Sequence, residues 1–230
     1  QNPMKRIITL AFLSAISLAS FAQSKVGTWS VIPHVGVSIA SLTHQSGSIV
    51  IGGNQSQEVK PQGRPGFTGG VDVMYQASDA VSLSAGLSFV QAGCKLEDYT
   101  DDHTVVYDRY LRINYVSMPI LVHNKLLPGL SVKVGIEPAC VFNTNNHEVY
   151  QLYSVDKDGK KTNFQEDTYD FDIKNGMRKF GLSIPIGVSY EYENVVLGAL
   201  YHVGVFKIYK EGDSSRNSVF EVSVGYKLNL

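Results

Sequence analysis

Charged residues are scarce in this chain, and the two signs almost cancel. Asp, Glu, Lys and Arg make up 18% of the 230 residues, whereas soluble domains average about 25%. The formal net charge is −1, so the chain lacks the basic excess that binds nucleic acid or holds a protein on an anionic membrane surface. We therefore expect no nucleic-acid partner. The 13 tyrosines are typical of a surface that partly faces lipid.

Long apolar runs are also absent, with the exception of Met4–Ala22. This segment has a basic start, an apolar middle and the small residues Ser20 and Ala22 at its end, which is the pattern of a secretory signal peptide. We expect cleavage after Ala22 and export of a barrel domain comprising Gln23–Leu230. Because no other run is long enough for a transmembrane helix, a mature chain that spans a membrane has to do so with a closed sheet.

Only two cysteines are present, Cys94 and Cys140. Export makes a disulfide chemically possible. In the strands predicted below, however, Cys94 lies on the polar face with Ser84 and Ser88, whereas Cys140 lies on the apolar face with Val134. Opposite faces of one sheet do not bring two sulfur atoms within bonding distance. We therefore predict that no disulfide joins the two cysteines.

The clearest pattern in the chain is the strict alternation of apolar and polar residues between Phe180 and Tyr209. A tight turn at Glu193–Asn194 divides this segment into two halves. The apolar row consists of Phe180, Leu182, Ile184, Ile186, Val188, Tyr190 and Tyr192, and then of Val195, Leu197, Ala199, Tyr201, Val203 and Val205. A period of two residues predicts β-strands with one apolar face. A lone hairpin cannot bury such a face, so more strands are required.

The same alternation recurs along the chain and predicts eight strands in all. Their expected ranges are Trp29–Leu42, Gly66–Gln76, Val81–Phe89, Tyr107–Asn124, Leu130–Phe142, the two strands of Phe180–Tyr209, and Phe220–Leu230. The connections alternate between long and short, which separates external loops from periplasmic turns in an up-and-down barrel. The sequence therefore predicts an all-β fold, an eight-stranded antiparallel up-and-down transmembrane β-barrel.

The connection lengths also predict which end of the barrel faces the cell exterior. The long loops Thr43–Pro65 and Asn143–Gly176 are expected outside the cell, and the short turns Ala77–Ala80, Leu127–Gly129 and Glu193–Asn194 in the periplasm. Two groups of aromatic residues flank the apolar rows, as expected at the level of the lipid headgroups. Trp29, Tyr75, Tyr190, Tyr192 and Tyr226 are near the turn ends, and Phe142, Phe180 and Tyr209 are near the loop ends.

The fourth predicted strand contains a change of pattern. Its apolar row begins with Leu111, Ile113 and Tyr115 and continues with Val116, Met118, Ile120 and Val122. If the apolar row faces outward throughout, the strand has to shift its phase by one residue. We predict a bulge near Ser117 and Pro119, because proline lacks the N–H group that a strand ladder uses.

With the apolar rows facing lipid, the polar rows line the interior of the barrel. The charged residues on these rows are Asp72, Arg112, Lys133, Glu137, Lys179, Glu191, Glu221 and Lys227. Side chains just fill an eight-stranded barrel, and buried charges have to pair. We therefore predict a luminal charge network of Asp72, Arg112, Lys133 and Glu137 that closes the pore. Because strands four and five are neighbours, we expect Arg112 to pair with Glu137.

Two histidines, His34 and His202, share the luminal face with several serines. A serine, a histidine and an orienting acid within hydrogen-bond reach form a nucleophilic hydrolase site, but the spacing does not indicate such a triad. His103 lies beside two aspartates in a polar loop, which is more typical of solvated residues than of metal ligands. We predict no catalytic, cofactor-binding or metal site, and no cofactor.

The segment Tyr110–Val122 and the turn Pro128–Gly129 that follows it resemble the middle hairpin of the PorT-like outer-membrane β-barrel family of Bacteroidetes. Tyr201–Val205 and Val222–Lys227 resemble the last two strands of that family. The resemblance implies an eight-stranded outer-membrane barrel. It also implies a connection with the secretion of proteins to the cell surface, with which some family members are associated.

Together these patterns predict a non-enzymatic, integral protein of the bacterial outer membrane that acts as a structural or secretion-associated component. Its expected partners are outer-membrane lipid and envelope or secretion-system proteins, and the oligomeric state is not predicted. Two alternatives stay open. One is a soluble, secreted, lipocalin-like barrel whose apolar faces enclose a small ligand. The other is an outer-membrane lipid-modifying enzyme, which requires a luminal serine and histidine side by side near one rim.

Overall fold

The computed structural model describes residues 25–43, 47–51, 55–101, 103–158, 160–211 and 214–230. The predicted signal peptide, Met4–Ala22, lies outside the described residues. Within them, no helix is long and apolar enough to cross a membrane.

Eight strands form the barrel, and we number them β1 to β8 in chain order. They are β1 (Trp29–Thr43), β2 (Arg64–Gln76), β3 (Val81–Leu96), β4 (Thr104–Ser117 and Ile120–Leu127), β5 (Leu130–Val155), β6 (Phe180–Tyr192), β7 (Val195–Gly204) and β8 (Arg216–Tyr226). Shorter elements flank them: the strands Gly47–Ile51, Gln55–Val59, Pro61–Gln62, Tyr99–Asp101, Lys161–Phe171 and Leu228–Asn229, and a 3₁₀ turn at Lys174–Gly176.

Each barrel strand pairs antiparallel with its neighbours in the chain, and the last strand returns to the first. In the closing ladder, Val37 of β1 lies opposite Val222 of β8. This closure leaves no free edge, which is the condition for a sheet to cross a lipid bilayer. The predicted eight-stranded up-and-down barrel is confirmed.

Side chains alternate between the two faces of the wall as the sequence predicts. On β1, the Val37 side chain points outward and is 62% exposed, whereas the neighbouring Ser38 is 0% exposed inside the barrel. The same alternation places large apolar side chains on the outside of the other strands, among them Leu87, Val134, Ile186 and Val222. An apolar outer surface along the strands is suited to contact with lipid. A lipocalin-like barrel requires the opposite arrangement, with its apolar side chains inside.

The fourth strand corrects one expectation. The structure interrupts it at Met118 and Pro119, but the faces do not exchange, because every odd-numbered residue from 111 to 123 is buried. Leu111, Ile113 and Tyr115 therefore point into the barrel and not outward. Apolar residues therefore occupy the inward positions before the interruption and the outward positions after it. The reason is that the interior of the barrel is itself apolar toward the loop end.

This apolar interior is a cluster of buried side chains that fills the barrel at its loop end, opposite to the short turns. Its members are Ala40, Leu42, Val90, Ala92, Cys94, Leu111, Ile113, Tyr115, Val141, Met177, Ile208 and Val219; we call it the apolar plug. Most come from barrel strands, but Met177 and Ile208 lie in the segments next to β6 and β7. Tyr209 packs against this plug, so its predicted place in the outer aromatic belt is wrong.

The segment Asn143–Gly176 is not the loop that the sequence suggests. Instead, β5 continues to Val155 and pairs with Lys161–Phe171 in a hairpin, while its other edge pairs with β4. The polar composition does not distinguish a loop from a hairpin whose outer strand, Lys161–Phe171, is almost entirely exposed. The segment Thr43–Pro65 likewise contains backbone pairing, between Gly47–Ile51 and Gln55–Val59.

Aromatic side chains occur on the outside at both ends of the barrel wall. At the turn end, the Trp29 and Tyr75 rings lie 4.8 Å apart, and Tyr192 and Tyr226 are exposed. Phe142 and Phe180 are exposed toward the loop end. No disulfide joins Cys94 to Cys140, since the first is buried and the second exposed, as their opposite faces predict.

Candidate functional site: the polar cavity of the barrel

A cavity of about 110 Å³ occupies the turn-end half of the barrel. Inward-pointing residues of all eight strands line it. It extends to the turn end, where the exposed residues Asp79 and Glu193 border it, and it ends toward the plug at Glu137 and His202. The strand period of two sends every second side chain into this space, and these positions are mostly polar in the sequence.

The centre of the site is His202 of β7, which lies between two buried carboxylates. Its Nδ1 is 2.5 Å from Oε2 of Glu137 on β5, and its Nε2 is 3.6 Å from Oε2 of Glu221 on β8. Hydroxyl groups complete the cluster: Ser183 donates to Glu137 at 2.9 Å, and Thr68 donates to Glu221 at 3.0 Å. The cluster connects five strands across the interior.

A second group surrounds Asp72 of β2. Oδ2 of Asp72 lies 3.6 Å from Nδ1 of His34, and Nε2 of the same ring lies 3.5 Å from Oγ of Ser88. The carboxylate lies over Gly86, where an added β-carbon would be 1.9 Å from Oδ1 of Asp72. Glycine at this position is therefore what leaves room for the aspartate inside the wall.

The remaining polar contacts are near the turn end. Lys227 donates to both carboxylate oxygens of Glu191, at 2.9 and 3.0 Å, and Oγ of Ser84 lies 2.7 Å from Nε2 of His123. Lys133 is buried and lines the same cavity. It interacts electrostatically with Asp72 and Glu221, although no carboxylate of the described residues lies within ion-pair distance of its ammonium group.

A family model described as "Outer membrane protein beta-barrel domain" matches residues 21–210. The chain belongs to this outer-membrane β-barrel family. A search of curated protein sequences gave no match.

Several solved structures are similar to this outer-membrane protein, among them Ail, Neisserial surface protein A and OprG. Ail, the attachment invasion locus protein of Yersinia pestis, is 13% identical over 89% of this chain and 100% of that chain, with a TM-score of 0.43. Neisserial surface protein A is 13% identical over 87% and 97%, with a TM-score of 0.42. OprG from Pseudomonas aeruginosa is 11% identical over 90% and 98%, also with a TM-score of 0.42.

The structure brings together three of the four residues that the sequence proposes as a luminal charge network. Asp72, Lys133 and Glu137 all line the cavity. Arg112 does not, because it lies opposite Asn145, eight residues beyond Glu137 along β5. At about 3.4 Å per residue, that separation is about 27 Å. Lys179, which the sequence also places inside, is exposed.

The expected ion pair between Arg112 and Glu137 is therefore wrong. The β4–β5 ladder pairs Ser117 with Ala139, so the part of β4 that faces Glu137 is the interruption around Pro119. Arg112 lies beside the extension of β5, where it interacts electrostatically with Asp170 of the hairpin. The sequence correctly places His202 and Glu221 on the luminal face, but it contains no local signal that His202 is the partner of Glu137.

Ser84 and His123 are a luminal serine and histidine that lie side by side near the turn end, at 2.7 Å, but in the described residues no carboxylate lies within 4.0 Å of the His123 ring to orient it. The order Ser88–His34–Asp72 matches that of a catalytic triad, but its geometry is poor for nucleophilic attack. Both distances, 3.5 and 3.6 Å, exceed the reach of about 2.6–3.2 Å that activates a serine. Ser88 also lies inside the β2–β3 ladder, opposite Gly70, where backbone N–H groups bond to the next strand and cannot form an oxyanion hole. In the described residues, no group of three or more His, Cys, Asp or Glu side chains is arranged to hold a metal ion.

Proposed function

We propose that this outer-membrane protein is a closed, non-enzymatic barrel that serves as a structural or secretion-associated component of the envelope, in keeping with its resemblance to PorT-like proteins. The observation that carries the proposal is the apolar plug. Ile113, Met177 and Cys94 are fully buried in it, and the polar cavity ends below it. An ion that crossed the barrel would have to displace packed side chains and shed its hydration shell, so the lumen serves stability and not transport.

The hairpin of β5 and Lys161–Phe171 supports a role in contacts with other proteins. It extends the barrel wall beyond the plug and exposes the large apolar side chains of Leu152, Phe164, Tyr169 and Phe171. Exposed aromatic side chains at a position away from the lipid-facing wall are typical of surfaces that bind another protein. We therefore assign this hairpin as the surface for an envelope or secretion-system partner.

Two measurements test the proposal. Purified protein in planar bilayers should show no steady conductance, because the plug closes the lumen. A photo-crosslinking amino acid at Phe164 in living cells should form a discrete adduct with an envelope protein, whereas the same group at Lys160, at the tip of the hairpin, should not. Steady ion conduction by the wild-type protein, or adducts that are identical at both positions, would contradict the proposal.

A further inference from the structure

A second, smaller cavity opens through the barrel wall near the loop end. It has a volume of about 50 Å³ and is lined mainly by apolar side chains and by the bare backbone of Gly181 and Gly204; Glu137 and His202 of the polar cluster also line it. Tyr115, Leu182 and Ile208 also line it. We call this space the wall cleft.

The wall cleft exists because the β6–β7 ladder is interrupted. Regular pairing ends at Ser183 and Gly204. Beyond that point only single backbone hydrogen bonds, from Val205 to Leu182 and from Arg178 to Ile208, and the bridge between Met177 and Tyr209 join the two edges in the part of the chain that the structure describes. The chain has five residues between Met177 and Ser183 but four between Gly204 and Tyr209, so the two edges cannot match one to one. An unmatched residue in one edge bends the strand and opens the wall locally.

The mouth of the wall cleft faces outward, toward the lipid. Phe180 and Phe206 line it and are 68% and 49% exposed. Phe180 continues the outward apolar row of Ile184 and Ile186, and Phe142 is exposed near the same height. These side chains place the mouth at the level of the wall where acyl chains meet the lipid headgroups.

Two cations border the same mouth. Arg178 and Lys207 both line the wall cleft and are exposed. Arg178 donates its Nε–H to the backbone carbonyl of Tyr209 at 3.3 Å, which holds the guanidinium at the rim. In the part of the chain that the structure describes, neither cation has a carboxylate oxygen within 4.0 Å. An apolar cleft with cations at its mouth that no described carboxylate neutralises matches the two ends of an anionic lipid.

We infer that the wall cleft binds one phosphate-bearing lipid of the surrounding membrane. The end of an acyl chain enters between Phe180 and Phe206, and the phosphate lies against Arg178 and Lys207. This inference rests on the membrane location of the barrel and does not depend on the role proposed for the hairpin or on a closed lumen.

Native mass spectrometry of the purified barrel tests the inference, with phosphatidylglycerol and phosphatidylcholine of identical acyl chains as probes. The wild type should retain one phosphatidylglycerol and bind it about tenfold more tightly than phosphatidylcholine. The double variant Arg178→Gln/Lys207→Gln should lose this preference. The control Lys157→Gln/Lys160→Gln removes the same charge from the exposed tip of the hairpin and should behave as the wild type.

A third variant tests the apolar part of the site. A β-carbon at Gly181 meets only the edge of Tyr115, at 3.7 Å, so Gly181→Leu can fill the wall cleft and should weaken the binding of both lipids. Heat-modifiable migration on gels shows whether the variant folds; if it does not, Ala139→Leu fills the same space from β5. Equal binding of the two lipids to the wild type, or unchanged phosphatidylglycerol binding in the charge variant or in the folded cleft-filling variant, overturns the inference.

Discussion

Replacing Glu137 with glutamine should destabilise the barrel strongly, although the two side chains have the same size. In the wild type, the Glu137 carboxylate is buried, lies 2.5 Å from His202 and accepts a hydrogen bond from Ser183. Glu137→Gln removes the charge and leaves His202 buried beside Glu221 without its closest partner. Breaking a buried charged pair in this way costs about 3–5 kcal/mol in the free energy of unfolding.

The measurement is a urea titration of the barrel refolded in phospholipid vesicles, followed by the fluorescence of its single tryptophan, Trp29. Glu166→Gln is the matched control, because the Glu166 carboxylate is exposed where it accepts a hydrogen bond from the hydroxyl of Tyr107. Water can solvate both groups when this contact is lost, so the control should cost far less than Glu137→Gln. A double variant of Glu137 and His202 should cost less than the sum of the single variants, since they act as a unit. A loss below about 1 kcal/mol for Glu137→Gln, or strict additivity in this cycle, would refute the reasoning.

Three further predictions concern the exterior of the protein. Leu87→Arg on the lipid-facing wall should lower the free energy of unfolding by about 2–4 kcal/mol in the same titration. Phe164→Arg on the hairpin should lower it far less, because Phe164 faces water, although the two side chains are similarly exposed, 63% for Leu87 and 57% for Phe164. Equal losses would argue against lipid at Leu87. Trypsin added to intact cells should cut the hairpin tip within 157–161 and spare the short turns, and cleavage only at the turns would reverse the expected orientation. The hydrogen bond from His147 lowers the pKa of the exposed Asp170 carboxyl. This contact therefore stabilises the hairpin at neutral pH and is lost as the pH falls through the lowered pKa. In His147→Gln, carboxyl NMR should show a higher pKa for Asp170, and an unchanged pKa would contradict the assignment.

The barrel wall could be predicted because the relevant signal is local. In β6, alternate residues from Phe180 to Tyr192 are apolar, and a strand can send them only to one face. The tight turn at Glu193–Asn194 then fixes β7 as the antiparallel neighbour. The absence of a disulfide between Cys94 and Cys140 follows from the same rule of parity.

Predictions failed where one local pattern fits two environments. The row of Leu111, Ile113 and Tyr115 is apolar whether it faces lipid or an apolar plug, and only the residues opposite, such as Val90 and Met177, decide between them. The polar stretch after Phe142 fits a loop as well as a hairpin whose outer strand, Lys161–Phe171, is exposed. In both cases the residue types are correct for the site, but the surroundings that give them a role come from other strands.

The sequence by itself therefore determined the number of strands, most of the lipid-facing rows and the polar character of the turn-end half of the interior, because each depends on a period of two within one strand. The tertiary structure decided which interior groups meet. Glu137 pairs with His202 on β7, two strands away, and not with Arg112 on the adjacent β4, because closing the sheet brings the inner faces of β5, β7 and β8 together across the lumen. The distance between Glu137 and His202 depends on the register of every ladder in the ring, and no single segment of the chain encodes those registers.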